Sequence, residues 1–125
     1  MSLRCLIVDD NAAFVSAARA LLEMEGVTVV GVASNTAEAL RQVKEVAPDV
    51  TLVDIDLGQE SGLALARMLK DHHLQGQSQV ILISAHDEMD FLDLIAESSV
   101  AGFVAKSKLS ARAIAELLGY GRDLE

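Results

Sequence analysis

The chain has 125 residues, of which 51% are hydrophobic and 23% charged, a composition typical of one folded domain rather than a disordered segment. Ten basic and nineteen acidic residues give a formal net charge of −9, which disfavours direct binding to nucleic acids or anionic membranes. Its single cysteine excludes an internal disulfide, and no apolar stretch approaches the roughly 20 residues of a membrane span. Since the N-terminus has no secretion signal, we expect a cytoplasmic protein.

The first part of the chain predicts alternating strands and helices. An apolar run over 6–8 predicts a strand, and helical spacing of apolar residues over 12–25 predicts a helix. The β-branched segment 27–32 predicts the second strand. Asn35 and Glu38 have the spacing of a capping box, which begins a second helix.

The alternation continues to the end of the chain. Strands are predicted over 50–53, 80–83 and 102–105, and helices over 63–72, over 87–98 and after Ser110. The strands are apolar throughout rather than alternating, which is typical of a parallel sheet covered on both faces. With right-handed crossovers, five such units predict a single α/β domain over 1–125, a three-layer sandwich with a doubly wound parallel sheet.

Chemically active side chains follow four of the five predicted strands. Asp9 and Asp10 follow the first strand, Asp54 the third, Ser84 the fourth and Lys106 the fifth. Ligands of open parallel sheets bind at the carboxyl ends of the strands, so we expect these side chains to meet at one edge.

This set of side chains indicates phosphoryl chemistry. Clustered carboxylates repel one another unless a cation binds them, and oxygen ligands of this kind suit Mg²⁺. The ion and Lys106 would together form an electrostatic clamp for a phosphoryl group. Asp54, on a central strand, is the best nucleophile for an aspartyl phosphate, and Ser84 could donate a hydrogen bond to a phosphoryl oxygen.

Four motifs contain these residues: LIVDDN (6–11), LVDIDLGQESG (52–62), ILISAH (81–86) and GFVAKS (102–107). With these motifs the chain resembles response-regulator receiver domains of the CheY type over most of its length. The resemblance implies a flavodoxin-like fold, in which a five-stranded parallel sheet has the order 2-1-3-4-5.

The resemblance also implies a role for each matched position. Asp54 corresponds to the phosphoacceptor, which also binds Mg²⁺. Asp10 corresponds to a direct metal ligand, Asp9 to the acid that holds a metal-bound water, and Asp56 to the residue whose backbone carbonyl binds the metal.

Three further positions match the residues that respond to phosphorylation. Ser84 corresponds to the switch hydroxyl, Lys106 to the lysine on the phosphoryl oxygen and Phe103 to the switch aromatic. The resemblance implies phosphotransfer from a histidine kinase and slow self-hydrolysis without turnover of an independent substrate. It also implies rearrangement of the face made by the fourth helix, fifth strand and fifth helix, with homodimer formation on phosphorylation.

The chain departs from the family pattern at several positions. Ser107 replaces a common proline and is expected to remove a cis peptide, and Gly58 replaces another proline and is expected to make its loop flexible. Asp56 and His86 occupy positions that modulate access of water, so we hypothesise that they alter the phosphoryl lifetime. The segment 107–110 is similar to receivers of the NarL type, which predicts a transcriptional output and the N-terminal part of a longer regulator.

Other functions remain open at this point. A stand-alone receiver and an interaction module that works without phosphorylation have the same fold. Asp54 and Asp56 also form the Asp-x-Asp pattern of haloacid-dehalogenase-like phosphotransferases. In those enzymes, however, the pattern follows the first strand and a cap or larger core is usual.

Overall fold

A computed structural model describes residues 3–72, 79–85 and 100–119. Within these ranges the five strands of the sheet are β1 Arg4–Val8, β2 Thr28–Ala33, β3 Val50–Asp54, β4 Gln79–Ser84 and β5 Gly102–Ala105. The helices are α1 Ala12–Met24, α2 Thr36–Val46, α3 Gly62–His72 and the C-terminal helix Ala111–Leu118. The helix predicted over 87–98 lies outside the described residues.

The five strands form one parallel sheet with the order β2-β1-β3-β4-β5. This order confirms the prediction of a flavodoxin-like α/β fold. Because all five strands run in the same direction, their carboxyl ends lie along one edge of the sheet, where the sequence predicts the functional side chains.

The sheet separates two hydrophobic layers, so the predicted three-layer sandwich is confirmed. In β1, Cys5 and Ile7 pack with residues of α1 and the C-terminal helix, whereas Leu6 and Val8 pack with residues of α2 and α3. All four are 0% exposed, which explains why β1 is apolar throughout rather than alternating. Burial also raises the pKa of the Cys5 thiol to about 12.

Side-chain caps begin the helices. The predicted cap of α2 is confirmed, because Asn35 Oδ1 accepts a hydrogen bond from the N–H of Glu38 at 2.9 Å. The reciprocal half of the capping box is wrong: the Glu38 carboxylate accepts from the N–H and hydroxyl of Ser34, at 2.8 and 2.9 Å. Ser110 begins the C-terminal helix, as predicted, by accepting from the N–H of Ala113 at 3.0 Å.

A short antiparallel hairpin, Asp56–Leu57 with Glu60–Ser61, connects β3 to α3. The carboxylate of Glu60 accepts a hydrogen bond from the N–H of Thr36 at 2.7 Å and so joins the hairpin to the N-terminus of α2. The sequence predicts only a loop here, since two-residue strands have no recognisable periodicity.

The helices give no indication of a membrane span. Among the described ranges, none is both long enough and apolar enough to cross a bilayer.

Gly62 provides a direct test of this packing. A methyl group at this position would overlap the backbone carbonyl of Asp54. We expect Gly62→Ala to lower the free energy of unfolding by about 3 kcal/mol, since backbone must move to relieve the overlap. Urea denaturation would measure the loss.

Gly26→Ala is the matched control. Gly26 has a φ of +97°, but a methyl group there would meet no atom within 4 Å. We expect this variant to lose about 1 kcal/mol from backbone strain alone. Equal losses in the two variants would contradict the packing role of Gly62.

Candidate functional site

The ends of β1, β3 and β4 place three polar side chains in buried positions. Asp9 is 2% exposed, Asp54 5% and Ser84 1%. The N–H of Asp9 donates to the carbonyl of Ala33 at 2.9 Å, which extends the sheet pairing of β1 with β2 by one residue. Buried carboxylates are rare unless they are paired or bind a cation, so this edge differs from an ordinary solvated loop.

Lys106 forms ion pairs with both buried carboxylates. Its Nζ lies 2.7 Å from Asp9 Oδ2 and 3.1 Å from Asp54 Oδ2. The other carboxylate oxygens are held by backbone: Asp9 Oδ1 accepts from the N–H of Asn11 at 2.9 Å, and Asp54 Oδ1 accepts from the N–H of Asp56 at 3.1 Å. The predicted convergence of Asp9, Asp54 and Lys106 is therefore present in the structure.

The same edge has the donor set of a divalent metal site. One carboxylate oxygen each from Asp9, Asp10 and Asp54 can be chosen so that the three lie within 4.8 Å of one another. Asp9 Oδ2 is buried and, although it contacts the Lys106 ammonium, it accepts no hydrogen bond of good geometry. Asp10 is exposed, so an ion could enter with part of its water shell. These residues fit Mg²⁺.

Burial and pairing set the charges of the site. Burial raises the pKa of Asp54 to about 6, against the hydrogen bonds from Asp56 and Lys106, which lower it. For Lys106, burial lowers the pKa of the ammonium, but its close contacts with the carboxylates of Asp9 and Asp54 outweigh this effect and leave the pKa raised. At neutral pH, Asp54 is therefore mostly ionised and Lys106 is protonated.

Three of the remaining predicted residues lie on β4, on β5 and in the hairpin that follows β3. Ser84 lies one residue beyond Ile83, which is the register partner of Asp54 on the neighbouring strand. Phe103 is 8% exposed and packs in the hydrophobic layer of α2 and α3. The Asp56 side chain is exposed, and its carbonyl remains a predicted metal ligand. His86 lies outside the described residues.

Gly58 has a backbone conformation that proline cannot adopt. Its φ of +62° is far from the value near −65° that proline requires, so proline could not follow this path. A methyl group at Gly58 would also lie 2.9 Å from Asp10 Oδ2. At the other departure, the peptide between Lys106 and Ser107 is trans, and a short 3₁₀ turn covers Lys106–Lys108.

One residue of the site was not predicted from the sequence. Nζ of Lys106 lies 4.4 Å from the ring centroid of Phe14, on the first turn of α1. The sequence marks Phe14 only as an apolar position on a helix. No short-range pattern relates it to a lysine that follows the last strand.

Comparison with known proteins agrees with this geometry. The family model of the response regulator receiver domain matches residues 5–118. A relative from Pseudomonas aeruginosa, whose name refers to transcriptional regulation, is 35% identical over 121 residues, which are 94% of this chain and 58% of that protein. The probable transcriptional regulatory protein NarL of Mycobacterium tuberculosis is 32% identical over 124 residues, which are 97% of this chain and 56% of that protein. The solved signal receiver domain of NarL from the same species has a TM-score of 0.81 at 29% identity and covers 97% of each chain.

The chain belongs to the response regulator receiver domain family of two-component systems. It spans little more than half the length of the two curated relatives. Receiver domains interact with histidine kinases and bind Mg²⁺ through acidic residues, and they are not enzymes with independent substrates. The predicted similarity to NarL-type receivers is confirmed.

The raised pKa of Asp54 predicts a pH-dependent gain in stability when the charge is removed. Between about pH 4 and pH 7 the folded protein holds this proton more tightly than the unfolded chain does, so its stability falls as pH rises. In metal-free buffer with EDTA, we expect Asp54→Asn to be more stable than wild type by about 1 to 2 kcal/mol at pH 7.5 and nearly equal to it near pH 3.5. Chemical denaturation across this range would measure the difference.

Glu45→Gln is the control, because it removes one negative charge from an exposed side chain. We expect it to change stability little at either pH. A gain in stability for Asp54→Asn that does not vary with pH would contradict the raised pKa of Asp54.

Proposed function

We propose that this receiver accepts a phosphoryl group on Asp54 from the phosphohistidine of a histidine kinase. The observation that carries the proposal is the Lys106 ammonium, which lies within 3.1 Å of oxygen atoms of two buried carboxylates at the sheet edge. Such a cluster has an ionised nucleophile and a fixed cation at the same position, as phosphoryl transfer requires.

The bonds that form and break in the chemical step involve only Asp54 and the phosphohistidine. An Asp54 carboxylate oxygen attacks phosphorus, the P–O bond forms, the P–N bond breaks and the imidazole nitrogen keeps the electron pair. Lys106 then exchanges its contact with Asp54 Oδ2 for a phosphoryl oxygen, and the Ser84 hydroxyl donates to another. These contacts stabilise charge that develops on the phosphoryl oxygens.

The residues that would hold Mg²⁺ are Asp10, Asp54 and the backbone carbonyl of Asp56, with Asp9 acting through a bound water. When bound, the ion would neutralise phosphoryl charge and orient the group for in-line transfer. Slow hydrolysis of the aspartyl phosphate would return the receiver to its resting state. The exposed carboxylate of Asp56 and the imidazole of His86 would modulate access of water in that step.

The output of the switch is proposed from the relatives. Two curated relatives have names that refer to transcriptional regulation, and each is longer than this chain. Phosphorylation would move Ser84 and Phe103, rearrange the face that contains β5 and the C-terminal helix, and promote homodimer formation. The regulator would act in the cytoplasm on transcription, without direct nucleic-acid binding by this acidic segment.

Intact-mass measurement after incubation with Mg²⁺ and acetyl phosphate tests the proposal. We expect wild type to gain the mass of one phosphoryl group. The gain should be absent in EDTA and absent in Asp54→Asn, which keeps the shape of the side chain but lacks the nucleophilic carboxylate. Glu45→Gln should be phosphorylated as wild type is.

Two other outcomes would contradict the proposal. A folded wild type that binds Mg²⁺ but gains no mass would favour an interaction module that works without phosphorylation. Continuous release of phosphate from small phosphorylated molecules would favour a phosphotransferase of the haloacid-dehalogenase type.

Gly58→Ala tests the metal site independently of phosphorylation. The new methyl group would lie against Asp10 Oδ2 and the backbone would be strained, so we expect Mg²⁺ affinity to fall about three- to tenfold. Isothermal titration calorimetry with Mg²⁺ would measure the affinity.

Gly119→Ala is the control. Gly119 has a comparable φ of +85°, and a methyl group there would meet no atom within 4 Å, so the Mg²⁺ affinity of this variant should equal that of wild type. A similar loss in both variants would mean that general destabilisation is the cause.

A further inference from the structure

The contact between Phe14 and Lys106 joins a helix of one hydrophobic layer to the predicted phosphoacceptor site. Nζ of Lys106 lies 4.4 Å from the ring centroid, well within the roughly 6 Å limit for an attractive cation–π interaction. The Lys106 side chain is only 14% exposed, so water screens this attraction weakly. The ammonium thus contacts carboxylate oxygens and an aromatic ring at once.

Hydrogen bonds hold the backbone that carries the ring. The N–H of Phe14 donates to Asn11 Oδ1 at 3.1 Å, and the N–H of Asn11 donates to Asp9 Oδ1 at 2.9 Å. The half-buried Phe14 side chain also packs against the hydrophobic layer of α1 and the C-terminal helix. These hydrogen bonds connect Asp9, Asn11 and Phe14. Lys106 contacts the first of these residues through its carboxylate and the last through its aromatic ring.

We propose that Phe14 is a positioning residue for phosphoryl acceptance, acting through Lys106. This inference rests on the proposed function. During transfer, Lys106 must exchange its contact with Asp54 Oδ2 for a phosphoryl oxygen. The ring contact does not involve Asp54, so it persists through the exchange and restricts the ammonium to the region of the site. Without the ring, the long and flexible lysine side chain would lose one of its three anchors.

Substitutions at Phe14 can distinguish the effect of the ring's π-electrons on phosphorylation from the effect of its apolar volume. Phe14→Leu keeps an apolar side chain but has no ring, and Phe14→Tyr keeps the ring. Phenylalanines with increasing fluorination, incorporated at this position, withdraw electron density from the ring face with little change of shape. A positioning role through cation–π attraction predicts that activity follows the electron density of the ring.

Two measurements would be made on each variant. The first is the initial rate of phosphorylation by acetyl phosphate and Mg²⁺, followed by intact mass. We expect Phe14→Leu to lower the rate about three- to tenfold, Phe14→Tyr to stay within about twofold of wild type, and the fluorinated series to fall in order. The second is the NMR shift of the Lys106 ε-methylene protons, which the ring current should move upfield in wild type and not in Phe14→Leu.

Val15→Ala is the control for packing, since Val15 also packs on this layer from α1. It should lower stability without changing the lysine shift or the phosphorylation rate. If Phe14→Leu is phosphorylated at the wild-type rate, or the fluorinated series shows no trend, the inference is overturned and the proposed function stands. If wild type is not phosphorylated at all, the proposed function fails and the role of Phe14 fails with it, whatever the lysine shift shows.

Discussion

The site depends on one ammonium group that compensates two buried carboxylates. Asp9 follows β1 and Asp54 ends the adjacent strand β3. Lys106 follows β5, which lies beyond β4, so its long side chain must reach across the end of β4. A buried carboxylate without a compensating cation costs several kcal/mol, and removal of the Lys106 ammonium would leave two. The ion pairs therefore tie the ends of three strands together, although their net contribution to stability is small once desolvation is counted.

The balance of charge at this edge explains why the site suits a divalent cation. Three carboxylates lie close to one another and the Lys106 ammonium contacts two of them, so negative charge remains in excess even after Lys106 has paired. An incoming phosphoryl group is also anionic and would be repelled by that excess. A divalent cation would cancel the excess negative charge, and the exposed position of Asp10 leaves a route by which it can bind.

Much of this arrangement could be predicted from the sequence because it follows from local patterns. Apolar runs locate the buried strands, and the residues directly after them must lie at one edge of a parallel sheet, which brings Asp9, Asp54 and Lys106 together. The contact of Phe14 with Lys106 could not be predicted in this way. Helical periodicity marks Phe14 as apolar, but which neighbour its ring covers depends on the rotamers of two residues far apart in the chain. Similarly, a glycine in a loop motif indicates freedom, whereas the sign of φ at Gly58 depends on how the hairpin is held.

The hairpin is held by an acidic side chain acting at a helix N-terminus. Glu60 accepts from the N–H of Thr36, and this hydrogen bond lowers the pKa of the Glu60 carboxyl. Glu25 acts similarly at the C-terminal helix, where it accepts from the N–H of Ala111 at 2.7 Å. Part of the negative charge of the chain is therefore structural, because unpaired N–H groups at helix N-termini attract carboxylates. The segment with Asp56 and Gly58 is anchored to α2 in this way, and its glycine supplies a left-handed backbone conformation next to Asp10.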